Sequence, residues 1–211
     1  MRKERKPLEE QRPEDNTFPM TEPAYDMKAG DPARIVPYDP AWPHLFARLG
    51  GDLRAALGSV AVRIDHIGST AVPGLVAKPV IDIQTSVAAF EPLAAYRLPL
   101  ERLGYVFRAD NTERTKRYFR EAPGARRTHI HVRPAGSFGE QFALLFRDFL
   151  RTHPEVAAQY GELKTMLAHQ YPGVEERHAY TEAKDPFIWT VMAQADRWAQ
   201  QTCWMPGPSD A

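Results

Sequence analysis

The chain has little cysteine, no net charge and no long hydrophobic run. Cys203 is the single cysteine, so no disulfide can form within the chain, which fits a reducing compartment. No apolar stretch approaches the roughly 20 residues that a membrane-spanning helix needs, and the N-terminus has no apolar signal core. These absences predict a cytoplasmic protein without a membrane segment.

The absence of net charge bears on partners. The 27 basic and 27 acidic residues balance to a formal charge of zero. A neutral chain has no overall electrostatic attraction to nucleic acid or to an anionic membrane, although a local basic patch is not excluded. Polymer nucleic acid is therefore not the expected partner.

The composition favours one folded domain between two tails. With 211 residues and 43% hydrophobic content, the chain can bury one substantial core. Residues 1–31 are rich in Lys, Arg, Glu and Pro with almost no aliphatic residues, so we expect a disordered extension there. We expect the domain to occupy residues 32–204 and a second disordered tail to occupy residues 205–211.

Hydrophobic periodicity predicts a mixed α/β (α+β) domain, with a small mixed sheet flanked by four or five helices and a helical C-terminal part. The first helix is expected to begin at Asp39-Pro40 and to end at Gly58. Strands are predicted near residues 34–36, 60–67, 80–84, 105–107, 117–121 and 128–133, the last two as an antiparallel hairpin. Further helices are predicted over 90–103 and at 137–150, 154–167 and 185–198.

The segment from His66 to Gln84 indicates a phosphate-handling site. Gly68 permits a tight turn after a strand, and Ser69 and Thr70 can present backbone and hydroxyl donors to an anion, although a plain helix cap is the commoner use of such residues. Asp82 lies inside an apolar strand and shares a face with Gln84. A charge there must be paired, metal-bound or at the strand end.

Two histidines on the predicted hairpin suggest a metal site. His129 and His131 are two positions apart, so their imidazoles point to the same face of the strand. Together with Asp82 they form a donor set suited to Zn, Mn or non-haem Fe. An ordinary solvated or core-edge pair is the competing interpretation. His66 is equally compatible with a ligand donor and with a half-buried strand residue.

Several cationic side chains are candidates for anion binding. Lys78, four residues before Asp82, can point at a phosphate or at water. Tyr180 and Lys184 lie in a polar connection just before a helix N-terminus, where anions bind. Solvated helical faces are instead expected for Arg147, Arg151 and Lys164.

At these residues the chain strongly resembles the GrpB family, a branch of the nucleotidyltransferase-like superfamily that is also found fused to some dephospho-CoA kinases. The resemblance covers roughly residues 35–198. It rests on the segments Tyr38–Trp42, His66–Gly74, Ala77–Ile83, His129–His131, Phe146–Pro154, Tyr160–Lys164 and Tyr180–Lys184.

The resemblance implies a nucleotidyltransferase-like core in which Gly68 and Ser69 hold nucleotide phosphates and Asp82 ligates a divalent metal. Active members of the superfamily generally place a second carboxylate two residues after the first. This chain has Gln84 there, and a neutral amide is a poor ligand for a hard cation. The replacement of this carboxylate by Gln84 argues against a mechanism with two magnesium ions.

The sequence thus leads to a metal-dependent nucleotidyltransferase acting on a small acceptor, with a nucleotide or small phosphorylated ligand. The expected cofactor is a divalent metal, Mn, Mg or Zn, held by the catalytic residues Asp82, His129 and His131. Phosphate binding is assigned to Gly68, Ser69, Thr70, Lys78 and Lys184. Two alternatives stay open, namely a non-catalytic nucleotide- or coenzyme-binding module and a metal-dependent phosphoester hydrolase.

Overall fold

The computed structural model describes residues 34–211, so the expected extension over 1–31 lies outside the described residues. Within them the chain forms one five-stranded sheet and six α-helices, which agrees with the predicted class. In chain order the elements are α1 Trp42–Leu57, β1 Ala61–Ile67, β2 Ile81–Val87, α2 Ala94–Arg102, β3 Tyr105–Phe107, β4 Arg117–Glu121, β5 Thr128–Pro134, α3 Phe138–Thr152, α4 Pro154–Gln170, α5 Arg177–Glu182 and α6 Asp185–Thr202.

The sheet is mixed, with the strand order β1-β2-β5-β4-β3. Strands β2 and β5 run parallel, and the other neighbouring pairs are antiparallel, including the predicted hairpin of β4 and β5. In the parallel register Asp82 lies opposite His129, and Gln84 lies opposite His131. The strand pairing therefore brings together two sequence segments that the periodicity alone left unconnected.

Each face of the sheet supports a different layer. Ile81, Ile83 and Ile130 are fully buried on one face, in a core that also contains apolar residues of α1 and α2. Because side chains alternate along a strand, Asp82 and His129 project from the opposite face. A second apolar cluster joins the loop after β1 to α3, α4 and α6.

The start of α1 differs from the prediction. The helix begins at Trp42, and Asp39 caps a turn ahead of it by accepting a hydrogen bond from the Ala41 amide at 2.8 Å. The Trp42 amide closes that turn on the Asp39 carbonyl at 3.0 Å. The end of the helix is as predicted, because Gly58 follows it with a φ of 51°. Likewise, α2 begins at Ala94 rather than at residue 90.

The C-terminal segment differs from the disordered tail that was expected over 205–211. The amide of Asp210 donates to the Ile64 carbonyl at 3.1 Å, and the Ile64 amide donates to the Ser209 hydroxyl at 2.8 Å. Strand β1 lies at the edge of the sheet, and no other strand of the described residues pairs with its outer backbone groups. The C-terminal segment forms hydrogen bonds with these groups, so it is attached to β1 despite its Pro- and Gly-rich composition.

Among residues 34–211, no helix combines the length and the apolarity that crossing a membrane would require.

Candidate metal and phosphate site

The turn after β1 closes onto Asp82. Gly68 adopts a φ of 71°, a left-handed conformation that favours glycine. A Cβ atom at this position would lie 2.7 Å from Asp82 Oδ2, which is too close for a side chain. Gly68 is therefore required twice over, for the backbone conformation and for the approach of the turn to the carboxylate.

Asp82 and the two histidines converge as the sequence suggested. Asp82 Oδ1 lies 3.1 Å from His129 Nδ1 and 3.3 Å from His131 Nε2. One donor atom from each of the three residues lies within 4.8 Å of the other two, which is compact enough for a single metal ion. Tyr118 packs against both imidazoles, with ring centroids at 5.5 Å from His129 and 5.3 Å from His131.

The protonation states of this cluster suit a metal ligand set. Burial acts to raise the pKa of Asp82, but the hydrogen bonds and charges of His129 and His131 outweigh it and hold the pKa well below its usual range. Burial lowers the pKa of His131 to about 4, against the opposing effect of Asp82. At neutral pH the carboxyl is therefore ionised and the His131 ring neutral, the forms in which these groups bind metals.

The donor set fits one borderline metal ion better than two magnesium ions. An imidazole pair with one carboxylate is typical of Zn, Mn or non-haem Fe, whereas Mg prefers oxygen ligands. The amide of Gln84, fully buried beside the cluster, donates to the Glu140 carbonyl at 3.3 Å, and its Oε1 has no hydrogen-bond partner among the described residues. Gln84 thus adds no second carboxylate.

A cavity of about 130 Å³ opens beside Asp82 and His129. Of the predicted phosphate-binding residues, Ser69, Thr70, Lys78 and Lys184 line it, and Gly68 forms the adjoining turn. Sequence reasoning missed Tyr160 and Lys164, which also line the cavity with Ile35, Val80 and the expected Tyr180. The structure therefore brings the proposed phosphate and metal residues to one place.

Thr70 and His66 serve mainly to fix the turn. The Thr70 hydroxyl donates to the Val80 carbonyl at 3.1 Å and contacts His66 Nε2 at 3.0 Å. The His66 ring is buried and stacks on Phe46, with centroids 4.8 Å apart. Burial lowers the pKa of His66 to about 4, so the ring is a neutral core residue and not a cavity ligand.

The prediction of solvated helical faces is wrong for Arg147 and Lys164, which are both buried, whereas Arg151 is exposed, as that prediction expects. Arg147 donates to the His66 carbonyl at 3.0 Å, and Arg151 donates to the Ala71 carbonyl at 2.8 Å. Both arginines hold the ends of the turn that carries Ser69 and Thr70. Lys164 had a signal in the sequence, because it follows Tyr160 by four residues along the buried stripe of α4.

Taken together, the fold and the site define a mixed α/β protein with a carboxylate and two imidazoles beside a cationic cavity. Residues 32–194 match the GrpB protein family. A crystal structure of the conserved protein GrpB from Enterococcus faecalis superposes with a TM-score of 0.70 at 33% identity, covering 78% of this chain and 99% of that one. The chain belongs to the GrpB family.

Similar proteins differ in length. UPF0157 protein PA4798 of Pseudomonas aeruginosa is 40% identical over 169 residues, which cover 78% of this chain and 68% of that protein. A dephospho-CoA kinase of Mycolicibacterium paratuberculosis is 36% identical over 200 residues, covering 83% of this chain and 49% of the kinase. The chain therefore spans about half the length of the dephospho-CoA kinase that it matches.

Proposed function

We propose that the chain is a metal-dependent, nucleotidyltransferase-like enzyme that transfers a phosphate-linked group to a small acceptor. The observation that carries the proposal is the meeting of two kinds of side chain in one cavity. Asp82 and His129, which converge with His131, line this cavity together with Lys78, Lys164 and Lys184. Metal-ligand and phosphate-binding chemistry are both needed for phosphoryl or nucleotidyl transfer.

Asp82, His129 and His131 would hold the metal, as their donor atoms already converge. A bound divalent ion would supply charge stabilisation at the phosphoryl oxygens. The neighbouring lysines would neutralise phosphate oxygens and fix their orientation, and the Gly68 turn would place the Ser69 side chain and backbone beside them. A hydroxyl acceptor also needs a proton acceptor, for which Asp82 and the two imidazoles are the candidates.

The dephospho-CoA kinases support a nucleotide-related ligand. Those proteins carry a segment similar to this chain within a protein named for a kinase activity. A fused domain often handles a ligand related to that of its neighbour, so a nucleotide or another small phosphorylated compound is the proposed substrate. The small cationic cavity is consistent with the charged part of such a compound.

Gln84 favours a second candidate function, a nucleotide- or coenzyme-binding module without catalysis. The residue occupies the position next to His131 in the strand register, where active members of the superfamily place a carboxylate. With one carboxylate in the cluster, the charge available to balance metal ions is small. Such a module would retain the cavity and bind phosphate compounds without turning them over.

An assay of turnover distinguishes the proposed enzyme from the binding module. The chain is incubated with nucleoside triphosphates, with Mn, Zn or Mg, and with or without a pool of small hydroxyl and amine acceptors, and products are identified by mass spectrometry. Pyrophosphate together with a nucleotidyl adduct supports the proposal. Phosphate release without acceptor indicates a hydrolase, and binding without any product indicates the module.

The Asp82→Asn variant is the internal test of the site. It keeps the shape of the side chain but removes the charge, so we expect activity to fall about a hundredfold or more. Asp196→Asn, on the exposed surface of α6, is the matched control and should keep full activity. Full activity of Asp82→Asn would refute the assignment.

A further inference from the structure

Three amines line the cavity, those of the buried Lys164 and of the partly buried Lys78 and Lys184, and none of them forms an ion pair within the described part of the chain. Lys164 is only 3% exposed, its Nζ donates to the Val76 carbonyl, and it lies 4.6 Å from the centroid of the Tyr160 ring. Lys78 and Lys184 both lie over the Tyr180 ring, at 3.9 and 4.9 Å from its centroid. Among residues 34–211 no carboxylate oxygen comes within 4.0 Å of any of these three amines.

This arrangement works against the stability of the fold. Burying an ammonium group is costly unless a counter-charge compensates it, and like charges near one another add repulsion. Burial, with repulsion from Lys184, lowers the pKa of Lys164 to about 7. Burial, with repulsion from Lys184 and two arginines, lowers the pKa of Lys78 to about 8 against the opposing effect of Asp82. A ligand anion in the cavity would relieve both penalties at once.

The size of the cavity limits what part of a ligand can enter. Pockets that enclose a drug-sized molecule typically measure about 300–1,000 Å³. The lysine cavity measures about 130 Å³, which leaves room for a phosphate-sized group but not for a nucleoside. Asp82 and His129 line the same space, so a phosphate held there would lie beside the candidate metal ligands.

We propose that Lys78, Lys164 and Lys184 form a subsite for a single terminal phosphate, and that the organic part of the ligand stays outside this subsite. Recognition then depends on the phosphate and not on a nucleobase. The inference rests on the proposed function for the choice of phosphate as the anion. It requires neither a bound metal nor turnover.

Calorimetry on the chain in the presence of a chelator tests the subsite apart from the metal. The probes are inorganic phosphate, pyrophosphate, ATP and GTP, with chloride as the background anion. We expect phosphate to bind, and ATP and GTP to have affinities within about threefold of each other, since no base contact contributes. No binding of inorganic phosphate or pyrophosphate, or a large preference for one base, would overturn the proposal.

Lys164→Met separates a binding role from a structural one, with Lys116→Met as the matched control. Lys116 pairs with Glu113 at 2.6 Å and does not line the cavity. We expect Lys164→Met to weaken phosphate binding about tenfold or more, because a charge-assisted hydrogen bond is lost, and Lys116→Met to leave it unchanged. Equal binding by Lys164→Met and the wild type would contradict the subsite.

Thermal unfolding of the ligand-free variants gives an independent readout. A ligand-binding lysine should be dispensable for folding, so Lys164→Met is expected to melt at or above the wild-type temperature. A clear drop in melting temperature would instead show a structural lysine and overturn the proposal. Turnover without phosphate binding would reject the subsite alone, whereas metal-free phosphate binding without turnover would reject only the proposed enzyme.

Discussion

On one face of β2 and β5, Ile81, Ile83 and Ile130 are fully buried in an apolar core; on the other face, Asp82 and His129 form part of a polar cluster beside a cavity. The two faces are built from alternating residues of the same two strands. One backbone thus carries both the main packing of the sheet and the candidate site.

The faces differ in what they contribute to the free energy of folding. Apolar side chains on the first face stabilise the fold by leaving water and by close packing. On the second face Gln84 is fully buried, and Lys164 of α4 is a buried amine in the cavity beside that face. Among residues 34–211 the Gln84 Oε1 has no hydrogen-bond partner and Lys164 has no carboxylate partner. Such groups lower stability, and their presence in one region is typical of a functional site.

The largest effect on stability is expected from the apolar face. Ile83→Ala removes a fully buried side chain, and we expect it to lower the free energy of unfolding by about 2–5 kcal/mol. Gln84→Met, one residue along the strand, should change it by about 1 kcal/mol or less at similar volume. The substitution loses the long bond to the Glu140 carbonyl but also removes Oε1, which has no hydrogen-bond partner among residues 34–211. Denaturant titration of both variants measures the difference.

The comparison of the two sheet faces fails if the stabilities of these two variants come out in the reverse order. A Gln84→Met variant that is less stable than Ile83→Ala would mean that the polar face holds the sheet together. Metal and phosphate binding by Ile83→Ala, measured well below its unfolding transition, should match the wild type, since its side chain points away from the site.

A smaller effect, of about 1–3 kcal/mol, is expected from Gly68→Ala, because a side chain there meets both an unfavourable φ and the Asp82 carboxylate. Gly104→Ala is the control, since Gly104 has a φ of 87° but no atom of residues 34–211 lies within 4 Å of the added Cβ. Both variants should lose stability, but only Gly68→Ala should also lose metal binding. Equal metal binding by the two would show that the approach of the turn to Asp82 is unimportant.

A loss of stability smaller than that of Gly68→Ala is expected from a change in the C-terminal segment that lies along β1. Asp210 accepts hydrogen bonds from the His66 amide at 2.9 Å and from Arg147 at 2.8 Å. Asp210→Ala should destabilise the protein by about 1–2 kcal/mol, because these charge-assisted bonds are partly exposed. Asp196→Ala on α6 should leave stability within about 0.5 kcal/mol of the wild type. Thermal or chemical unfolding of both variants checks this, and equal stability of the two would mean that Asp210 does not anchor the segment.

Much of the site could be predicted from local rules. The period of two along a strand placed His129 and His131 on one face, and the isolated charge in an apolar run singled out Asp82. The parallel pairing of β2 with β5 could not be predicted, because it joins segments almost fifty residues apart through a connection whose path depends on tertiary packing.

The errors also have physical causes. Lys164 was assigned to a solvated face because lysine is rarely buried, although its spacing from Tyr160 matches the apolar stripe of α4. Residues 205–211 were expected to be disordered because their composition cannot form a core of their own. These residues are ordered because they form hydrogen bonds with the edge strand β1. Such a tertiary contact cannot be deduced from the amino-acid composition of the segment.

The most direct test of the account is metal analysis of protein purified without an affinity tag, for the wild type and for the Asp82→Asn, His131→Ala and Asp196→Asn variants. The account predicts about one Zn or Mn ion per chain in the wild type and in Asp196→Asn, and its loss from the other two, because the three donors converge on one position. A wild type that takes up neither ion, or an Asp82→Asn variant that retains it, would contradict the account.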